Sequence, residues 1–227
     1  MIYITGDLHG DYDFDKLPAF AEKHHELTRD DYVIVAGDFG IWSKTDIEYG
    51  LKRHEALPFT LLFVDGNHEH FDALNALSVE NWHGGKVHRL KDNVLHLMRG
   101  QVYEIEGKTF FTFGGATSND KDYRIQGEDW FPEEVPSDDD IVEANRNLER
   151  VHFKVDYIVT HSCDEKTLYY PLIKNARAFF VVRPENGILS YFEEKVDYGH
   201  WYFAHFHVDG DVTDKKTVLY EQIIRIV

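Results

Sequence analysis

The sequence has little sulfur, little basic charge relative to acidic charge, and no long apolar run. A single cysteine, Cys163, cannot form an internal disulfide, so nothing indicates an oxidising compartment. No apolar run approaches the length of a membrane span, and the charged Asp7 lies where the apolar core of a signal peptide would be. We therefore expect a cytoplasmic protein without a membrane partner.

The charge balance limits the partners of the chain. The 41 acidic residues outnumber the 24 basic ones, which gives a formal net charge of −17. This charge disfavours nucleic acids or anionic membranes as partners held by bulk attraction. It still allows a phosphorylated substrate, because bound metal ions would reverse the sign of the field locally.

Apolar segments without polar alternation predict strands that are covered on both faces. These segments are residues 1–5, 32–36, 60–64, 157–160 and 201–204. Between residues 87 and 113 shorter strands are predicted at 87–90, 94–97, 102–105 and 109–113, with Glu106-Gly107-Lys108 as a hairpin turn. The chain shows no repeat, low-complexity tract or linker, so we expect one domain over residues 1–227.

Helices are predicted where apolar residues recur at helical spacing after a capping side chain. Asp13, Ser43 and Ser137 are the candidate N-caps, the second for a helix that runs towards Glu55. A short helix is expected through Leu74 and Leu77. Two irregular segments, residues 116–140 and 162–187, remain, and segments of that length in a domain are usually functional or disordered. We expect them to decide the substrate.

Each of the five apolar segments ends in side chains that can bind a metal. In chain order these are Asp7, His9, Asp38, Asn67, His68, His161, His205 and His207. In open α/β sheets, ligands bind beyond the carboxyl ends of the strands. Oxygen and imidazole donors suit Mn, Fe, Zn, Ni or Co, and the absence of thiolates disfavours a soft-metal site. The number of donors favours two ions about 3.5–4 Å apart that share a carboxylate.

The ordered set resembles the calcineurin-like metallophosphoesterase superfamily. The motifs that carry this resemblance are Asp7-Leu8-His9, Gly37-Asp38, Gly66-Asn67-His68-Glu69, His161 and His205-Phe206-His207, and together they span almost the whole chain. The resemblance implies an α/β fold, a four-layer αββα sandwich of two mixed β-sheets flanked by helices. It also implies a binuclear metal centre that activates a water or hydroxide for attack on a phosphate monoester or diester.

The resemblance also implies a role for each residue. One divalent ion would be held by Asp7, His9, Asp38 and His207, and the other by Asp38, Asn67, His161 and His205. Asp38 would bridge the two ions. His68 would lie beside the substrate as an acid or as a stabiliser of the transition state.

The sequence departs from the family pattern at two positions. Ile41 occupies a position where the family often has a second Asp, and Ala204 replaces the Gly before the final His-x-His. Neither position is a direct ligand in the family, so the metal set is retained. The segment 39–42 also lacks the Arg that protein Ser/Thr phosphatases carry there, so protein phosphatase activity remains open but is not favoured.

Residues outside the ligand set leave alternatives open. Lys121 and Arg124 could reach a substrate phosphate, although an ordinary surface charge is an equal interpretation. Ser162 and Cys163 permit a metal-free serine or thiol hydrolase, which is disfavoured because no partnered base is visible. A non-catalytic binding module with this fold is the third possibility, and the complete ligand set argues against it.

Overall fold

The computed structural model describes residues 1–227 except 42, 44, 46, 48, 49 and 177–180. The strands of the described residues, numbered in chain order, are β1 (Ile2–Thr5), β2 (Tyr32–Val35), β3 (Thr60–Phe63), β4 (Val79–Trp82), β5 (Gly85–Lys91), β6 (Val94–Leu97), β7 (Gln101–Ile105), β8 (Lys108–Phe113), β9 (Lys154–Thr160), β10 (Asp197–Phe203), β11 (Gly210–Thr213), β12 (Lys216–Val218) and β13 (Ile224–Arg225). The helices are α1 (Lys16–Ala21), α2 (Lys52–Glu55), α3 (Phe71–Asn75), α4 (Asp138–Arg150), α5 (Pro171–Ala176) and α6 (Pro184–Lys195). Short 3₁₀ turns lie at Lys121–Tyr123, Pro132–Glu134 and Thr167–Tyr169.

These strands form two mixed sheets. The first has the order β13-β1-β2-β3-β6-β5-β4, with a parallel centre of β1, β2, β3 and β6. The second has the order β11-β12-β10-β9-β8-β7, with β8, β9, β10 and β12 parallel. Because parallel neighbours end at the same edge of a sheet, the segments after β1, β2 and β3 lie side by side, as do those after β9 and β10.

Three apolar clusters separate four layers. Ile2 and Ile4 of β1 pack between the sheets, in one cluster with Phe110 of the second sheet. Tyr3, on the opposite face of the strand, packs with Leu17 of α1. On the far side of the second sheet, Trp201 and its neighbours pack with residues of α4, α5 and α6. Both faces of each central strand are therefore covered, and the expected αββα sandwich is confirmed.

Several local predictions are confirmed. The hairpin between β7 and β8 turns at Glu106 and Gly107, whose φ angles of 52° and 70° match a type I′ turn. Ser137 caps α4 in a capping box: its hydroxyl accepts from the Asp140 amide, and the Asp140 carboxylate accepts from the Ser137 amide.

Other local predictions are wrong. The first helix begins at Lys16, and Asp13 does not cap it; the Asp13 carboxylate contacts His9 Nδ1 at 2.8 Å and accepts from the Tyr220 hydroxyl at 3.2 Å. Leu77 lies beyond the end of α3. Strand β4 and helices α5 and α6 were not predicted; α5 and the start of α6 lie in the segment 162–187 that was expected to be irregular. Ser43 was expected to cap a helix that runs towards Glu55, and residues 42, 44, 46, 48 and 49 of that stretch lie outside the described residues. Helix α2 (Lys52–Glu55) lies at the predicted end of the stretch.

Among the described residues, no helix has the length and apolar character needed to cross a bilayer.

Candidate metal centre

The residues predicted from the strand ends meet at one place. Asp7 and His9 follow β1, Asp38 follows β2, and Asn67 and His68 follow β3 of the first sheet. From the second sheet, His161 directly follows β9, and His205 and His207 follow β10. Ion-pair and ring contacts between residues of the two sheets show that these ends face each other across the sandwich.

The buried Asp38 carboxylate lies at the centre of this group. Its Oδ1 accepts hydrogen bonds from the backbone N–H groups of Asn67 and His68, both at 2.8 Å. Its Oδ2 lies 3.3 Å from His9 Nε2 and 3.3 Å from His161 Nε2. One oxygen is therefore fixed by the backbone, and the other is directed towards imidazoles that come from both sheets.

Asp7 is fully buried, and one of its oxygens forms no hydrogen bond. Oδ1 accepts from the His205 amide at 3.2 Å and lies 3.6 Å from His161 Nδ1. Oδ2 lies 3.1 Å from His207 Nε2 without a hydrogen bond. A buried carboxylate oxygen without a hydrogen-bond donor is costly, and a bound cation would satisfy it.

The donor atoms form three groups in which every atom lies within 4.8 Å of the others. The groups are Asp7 with His9 and His207, His9 with Asp38 and His68, and Asp38 with His161 and His205. The Asn67 side-chain oxygen lies 3.3 Å from His161 Nε2 and adds a neutral donor. These donors are carboxylate, amide and imidazole, which fits borderline divalent metals.

Several of these residues have a strained backbone. His9, Asp38, His205 and His207 have φ angles of 46°, 46°, 71° and 52°. The left-handed region costs an L-residue roughly 1–2 kcal/mol. Such strain persists only where the surrounding structure imposes it, and it clusters at functional sites.

Two glycines of the motifs allow the segments to approach closely. A Cβ on Gly37, whose φ is 98°, would lie 2.1 Å from His161 Nδ1. A Cβ on Gly66 would lie 2.0 Å from Asp38 Oδ1. Any side chain at either position would push a donor residue out of place.

The carboxylates and imidazoles of the site shift one another's pKa values. Burial opposes ionisation of Asp38, but the charge of His161 and hydrogen bonds from His161 and His9 hold the pKa of its carboxyl well below the usual range. Burial alone would lower the pKa of His161, yet Asp38 and Asp7 raise it to about 9. Burial likewise opposes charge on His9, while Asp38, Asp13 and Asp7 raise its pKa to about 9. The carboxylates thus attract positive charge to this position.

His68 lies at the outer side of the group, and Arg124 reaches it. Arg124 Nη1 lies 3.1 Å from His68 Nδ1, and its Nε and Nη2 donate to the two Asp120 oxygens at 2.8 and 2.9 Å. Burial lowers the pKa of His68, against the attraction of Asp38, and Arg124 lowers it further. The exposed Lys121 does not line the cleft above these residues, whereas Arg124 does.

Residues of the irregular segments have mainly structural contacts. Phe131 is buried, and its ring packs on His70 and Phe71 at 4.6 and 6.3 Å. Cys163 is buried in the apolar cluster between the second sheet and its helices. Ser162 accepts a hydrogen bond from Asn186 at 3.2 Å. This burial disfavours the thiol-hydrolase alternative.

Sequence reasoning gave no role to several residues that support the site. Glu69 is buried and accepts from the backbone N–H groups of Phe39, Gly40 and Ile41 at 2.7, 3.2 and 3.0 Å, which fixes the turn after Asp38. Tyr220 stacks on His207 with ring centroids 4.7 Å apart. The position of Glu69 in its motif signals a role, whereas nothing in the sequence near Tyr220 does.

Comparisons with known proteins place this arrangement in a family. Among solved structures, the chain resembles a phosphopantetheinyl hydrolase from Mycobacterium tuberculosis at 15% identity and a TM-score of 0.44, over 96% of this chain and 87% of that one. No curated protein matches the sequence. The family model described as calcineurin-like phosphoesterase matches residues 1–209. The chain therefore belongs to the calcineurin-like phosphoesterase family and is a metal-dependent phosphoester hydrolase.

Proposed function

We propose that the chain hydrolyses a phosphate monoester or diester at a binuclear metal centre. The observation that carries this proposal is the convergence of three donor groups, two of which contain Asp38, next to a buried Asp7 oxygen without a hydrogen bond. Asp7, His9, Asp38 and His207 would hold one ion, and Asp38, Asn67, His161 and His205 the other. Two such ions supply an activated water and electrostatic stabilisation of the charge that develops on the phosphoryl group.

His68 acts on the leaving group through its Nε2 atom. A guanidinium group only donates hydrogen bonds, so His68 Nδ1 accepts from Arg124 Nη1 at 3.1 Å. The proton of the neutral ring is then on Nε2. Because the pKa of His68 is lowered, the neutral ring prevails near neutral pH. Its Nε2–H group stabilises the transition state by donating a hydrogen bond to the leaving oxygen as negative charge develops there.

Arg124 positions His68 and has little capacity left for substrate. Its Nε and Nη2 each donate to Asp120, and Nη1 donates to His68 and to the Asp129 carbonyl. A guanidinium has about five N–H groups in total, so one Nη2–H remains for a phosphate oxygen. Arg124 is therefore mainly a positioning residue, with a secondary contact to the phosphate.

The test is hydrolysis by protein that is first stripped of metal and then reconstituted separately with Mn, Ni, Co and Zn. The substrates are an aryl phosphate and the corresponding diaryl phosphate. We expect turnover that requires metal and is abolished by EDTA. Inactivity on both esters with all four metals would overturn the proposal, and full activity in EDTA would indicate a metal-free hydrolase instead.

Variants separate metal binding from turnover. Asp38→Ala should lose bound metal and activity together, because both ions depend on this carboxylate. His68→Asn should keep its metal, measured by elemental analysis, and lose most of its turnover. His152 is exposed and belongs to none of the donor groups, so His152→Asn is a control for the loss of an imidazole and should behave as the parent. Unchanged turnover in His68→Asn would remove His68 from the mechanism.

A further inference from the structure

A cleft of about 680 Å³ opens above the candidate metal centre. His9, His68 and His207 form part of its lining, so it leads directly to the donor atoms. A phosphoryl group fills only a small part of this volume. The rest is available for the alcohol portion of the ester, and its lining carries information about that portion.

Aromatic rings form much of the lining outside the donors. Tyr12, in the turn after β1, is 86% exposed, and Tyr123, in the 3₁₀ turn Lys121–Tyr123, is 92% exposed. Tyr220 also lines the cleft and is held against His207 by stacking. A single exposed tyrosine is ordinary, but two nearly fully exposed rings that line one cleft offer unoccupied surfaces for stacking.

The charges of the lining discriminate between possible alcohol groups. Three aspartates, Asp13, Asp120 and Asp129, line the cleft together with one guanidinium, Arg124. Asp13 is paired with His9, and Asp120 with Arg124. The Asp129 carboxylate accepts from the Ile125 amide at 2.6 Å and has no cationic partner among the residues that the structure describes. An anionic alcohol group in the cleft would meet this carboxylate, whereas Arg124, the cationic side chain of the lining, already pairs with Asp120.

We propose that the alcohol portion of the substrate is an aromatic group that is neutral or cationic, and that it stacks against Tyr12 and Tyr123. This inference rests on the proposed phosphoesterase function. It gives Tyr12 and Tyr123 the role of specificity residues, and it gives Asp129 the role of excluding anionic alcohols.

Three esters with similar leaving groups test the proposal on the metal-loaded enzyme. They are benzyl phosphate, cyclohexylmethyl phosphate and 4-carboxybenzyl phosphate, each used as a monoester and as a methyl diester. We expect kcat/KM for the benzyl ester to exceed that for the cyclohexylmethyl ester by about three- to tenfold, the usual worth of an aromatic pair. The carboxybenzyl ester should be hydrolysed more slowly than the benzyl ester.

Variants assign these preferences to residues. In Tyr12→Leu/Tyr123→Leu the benzyl preference should disappear through a higher KM, while hydrolysis of the cyclohexylmethyl ester is retained. Asp129→Asn, which keeps an oxygen acceptor for the Ile125 amide, should improve the carboxybenzyl ester relative to the benzyl ester. Tyr170 is 43% exposed and does not line the cleft, so Tyr170→Leu should keep the parent preference.

The outcomes distinguish this inference from the function on which it rests. Equal kcat/KM for benzyl and cyclohexylmethyl esters, or a benzyl preference that persists in the double tyrosine variant, would overturn the aromatic specificity and leave the phosphoesterase function standing. Equal hydrolysis of the carboxybenzyl and benzyl esters would overturn the role of Asp129. Turnover of the aryl phosphates without turnover of the benzyl ester would overturn this inference alone. An absence of turnover with every ester, the aryl phosphates included, would overturn the proposed function and this inference together.

Discussion

At the residue scale, the orientation of one amide depends on two residues from the segment before α4. Ser118 donates its hydroxyl proton to the buried Glu134 at 2.6 Å. The Ser118 oxygen therefore accepts from the Asn67 side-chain amide at 3.2 Å. This directs the Asn67 oxygen towards His161, where it lies 3.3 Å from Nε2. Glu134, which does not touch the donor group, thus determines that the Asn67 side-chain oxygen faces His161.

Ser118→Ala should weaken metal binding. The change leaves the Asn67 amide without its partner and free to rotate, and loss of such supporting contacts typically costs about 10- to 100-fold in affinity. Calorimetric titration with Mn²⁺ measures the effect. Ser78 is exposed, so Ser78→Ala controls for loss of a hydroxyl. An affinity equal to that of the parent protein would show that Ser118 does not position Asn67.

His54 makes the fold sensitive to acid at a position away from the metal donors. It is 4% exposed, it packs against Phe14 and Phe39, and neither ring nitrogen has a hydrogen-bond partner among the described residues. Burial lowers its pKa to about 4. The unfolded chain takes up a proton near pH 6.5, whereas the folded chain does not until about pH 4. Stability is therefore lost as the pH falls through this window.

His54→Leu should remove this loss. In the parent protein the effect of His54 amounts to about 3 kcal/mol when the pH reaches 4. Urea unfolding in the presence of a chelator measures the free energy of unfolding at pH 7 and at pH 5. This free energy should decrease less between the two pH values for His54→Leu than for the parent. The exposed His25 provides His25→Leu as a control that retains the parent decrease. Equal decreases in the free energy of unfolding of the parent and His54→Leu would show that His54 is not the source of the acid sensitivity.

At the scale of elements, Arg99 ties the carboxyl end of β3 to the segment before α4. Its Nε donates to Asp65 Oδ2 at 2.8 Å, and its Nη2 donates to the same oxygen and to the carbonyls of Glu133 and Glu134. His96 of β6 approaches the other Asp65 oxygen at 3.1 Å. Burial opposes charge on Asp65, but Arg99 and His96 outweigh it and lower the pKa of its carboxyl.

Arg99→Met should destabilise the protein strongly, because it leaves the Asp65 charge buried without its main partner. Removing one member of a buried ion pair typically costs about 3–5 kcal/mol. Arg89 in the neighbouring β5 pairs with Glu80 at the surface, so Arg89→Met should cost less than about 1 kcal/mol. Urea unfolding measures both variants. Similar losses of stability in the two variants would show that the buried Arg99–Asp65 pair contributes no more than the surface pair.

The elements that could be predicted from the sequence are those whose buried faces are apolar. Helix α4 has a capping box and buries Ala144 and Leu148 four residues apart, so both its start and its face are visible in the sequence. Helix α6 buries polar residues in its first turn: Glu185 accepts from Thr117, and Asn186 donates to Ser162. These partners are distant in sequence, so periodicity does not reveal the helix. Edge strand β4 was not predicted for a related reason: its residues are exposed or half-buried, so it lacks a buried apolar face.

The candidate site was more predictable than its surroundings. Its donors follow buried parallel strands, and strand ends can be read from the sequence. The partners that modify those donors come from irregular segments. Asp13 was predicted as a helix cap, but a local contact with His9 and a tertiary contact with Tyr220 occupy its carboxylate. The contact of Arg124 with His68 depends on a loop conformation that no local pattern specifies.

At the scale of the whole molecule, the donor set joins the two sheets at one end of the apolar layer that lies between them. Asp7 and Asp38 come from the first sheet, and His161 and His207 from the second. An ion held by both sets would connect the halves of the sandwich and would bind the folded state far better than the unfolded chain. Metal binding should therefore raise the free energy of unfolding of the whole protein, in addition to supporting activity.

Metal should accordingly raise the melting temperature. At a free concentration about 100 times Kd, binding adds about 2.7 kcal/mol, which corresponds to about 5–11 °C for a chain of this size. Calorimetry of the parent with Mn²⁺ and with EDTA measures the shift, and His152→Asn should reproduce it. The acidic surface, with a net charge of −17, could also attract cations, so Asp38→Ala is needed to distinguish the two sources. A shift in Asp38→Ala as large as in the parent would locate the stabilising ions on the surface, because that variant keeps the surface charge and lacks the carboxylate proposed to bridge the two ions.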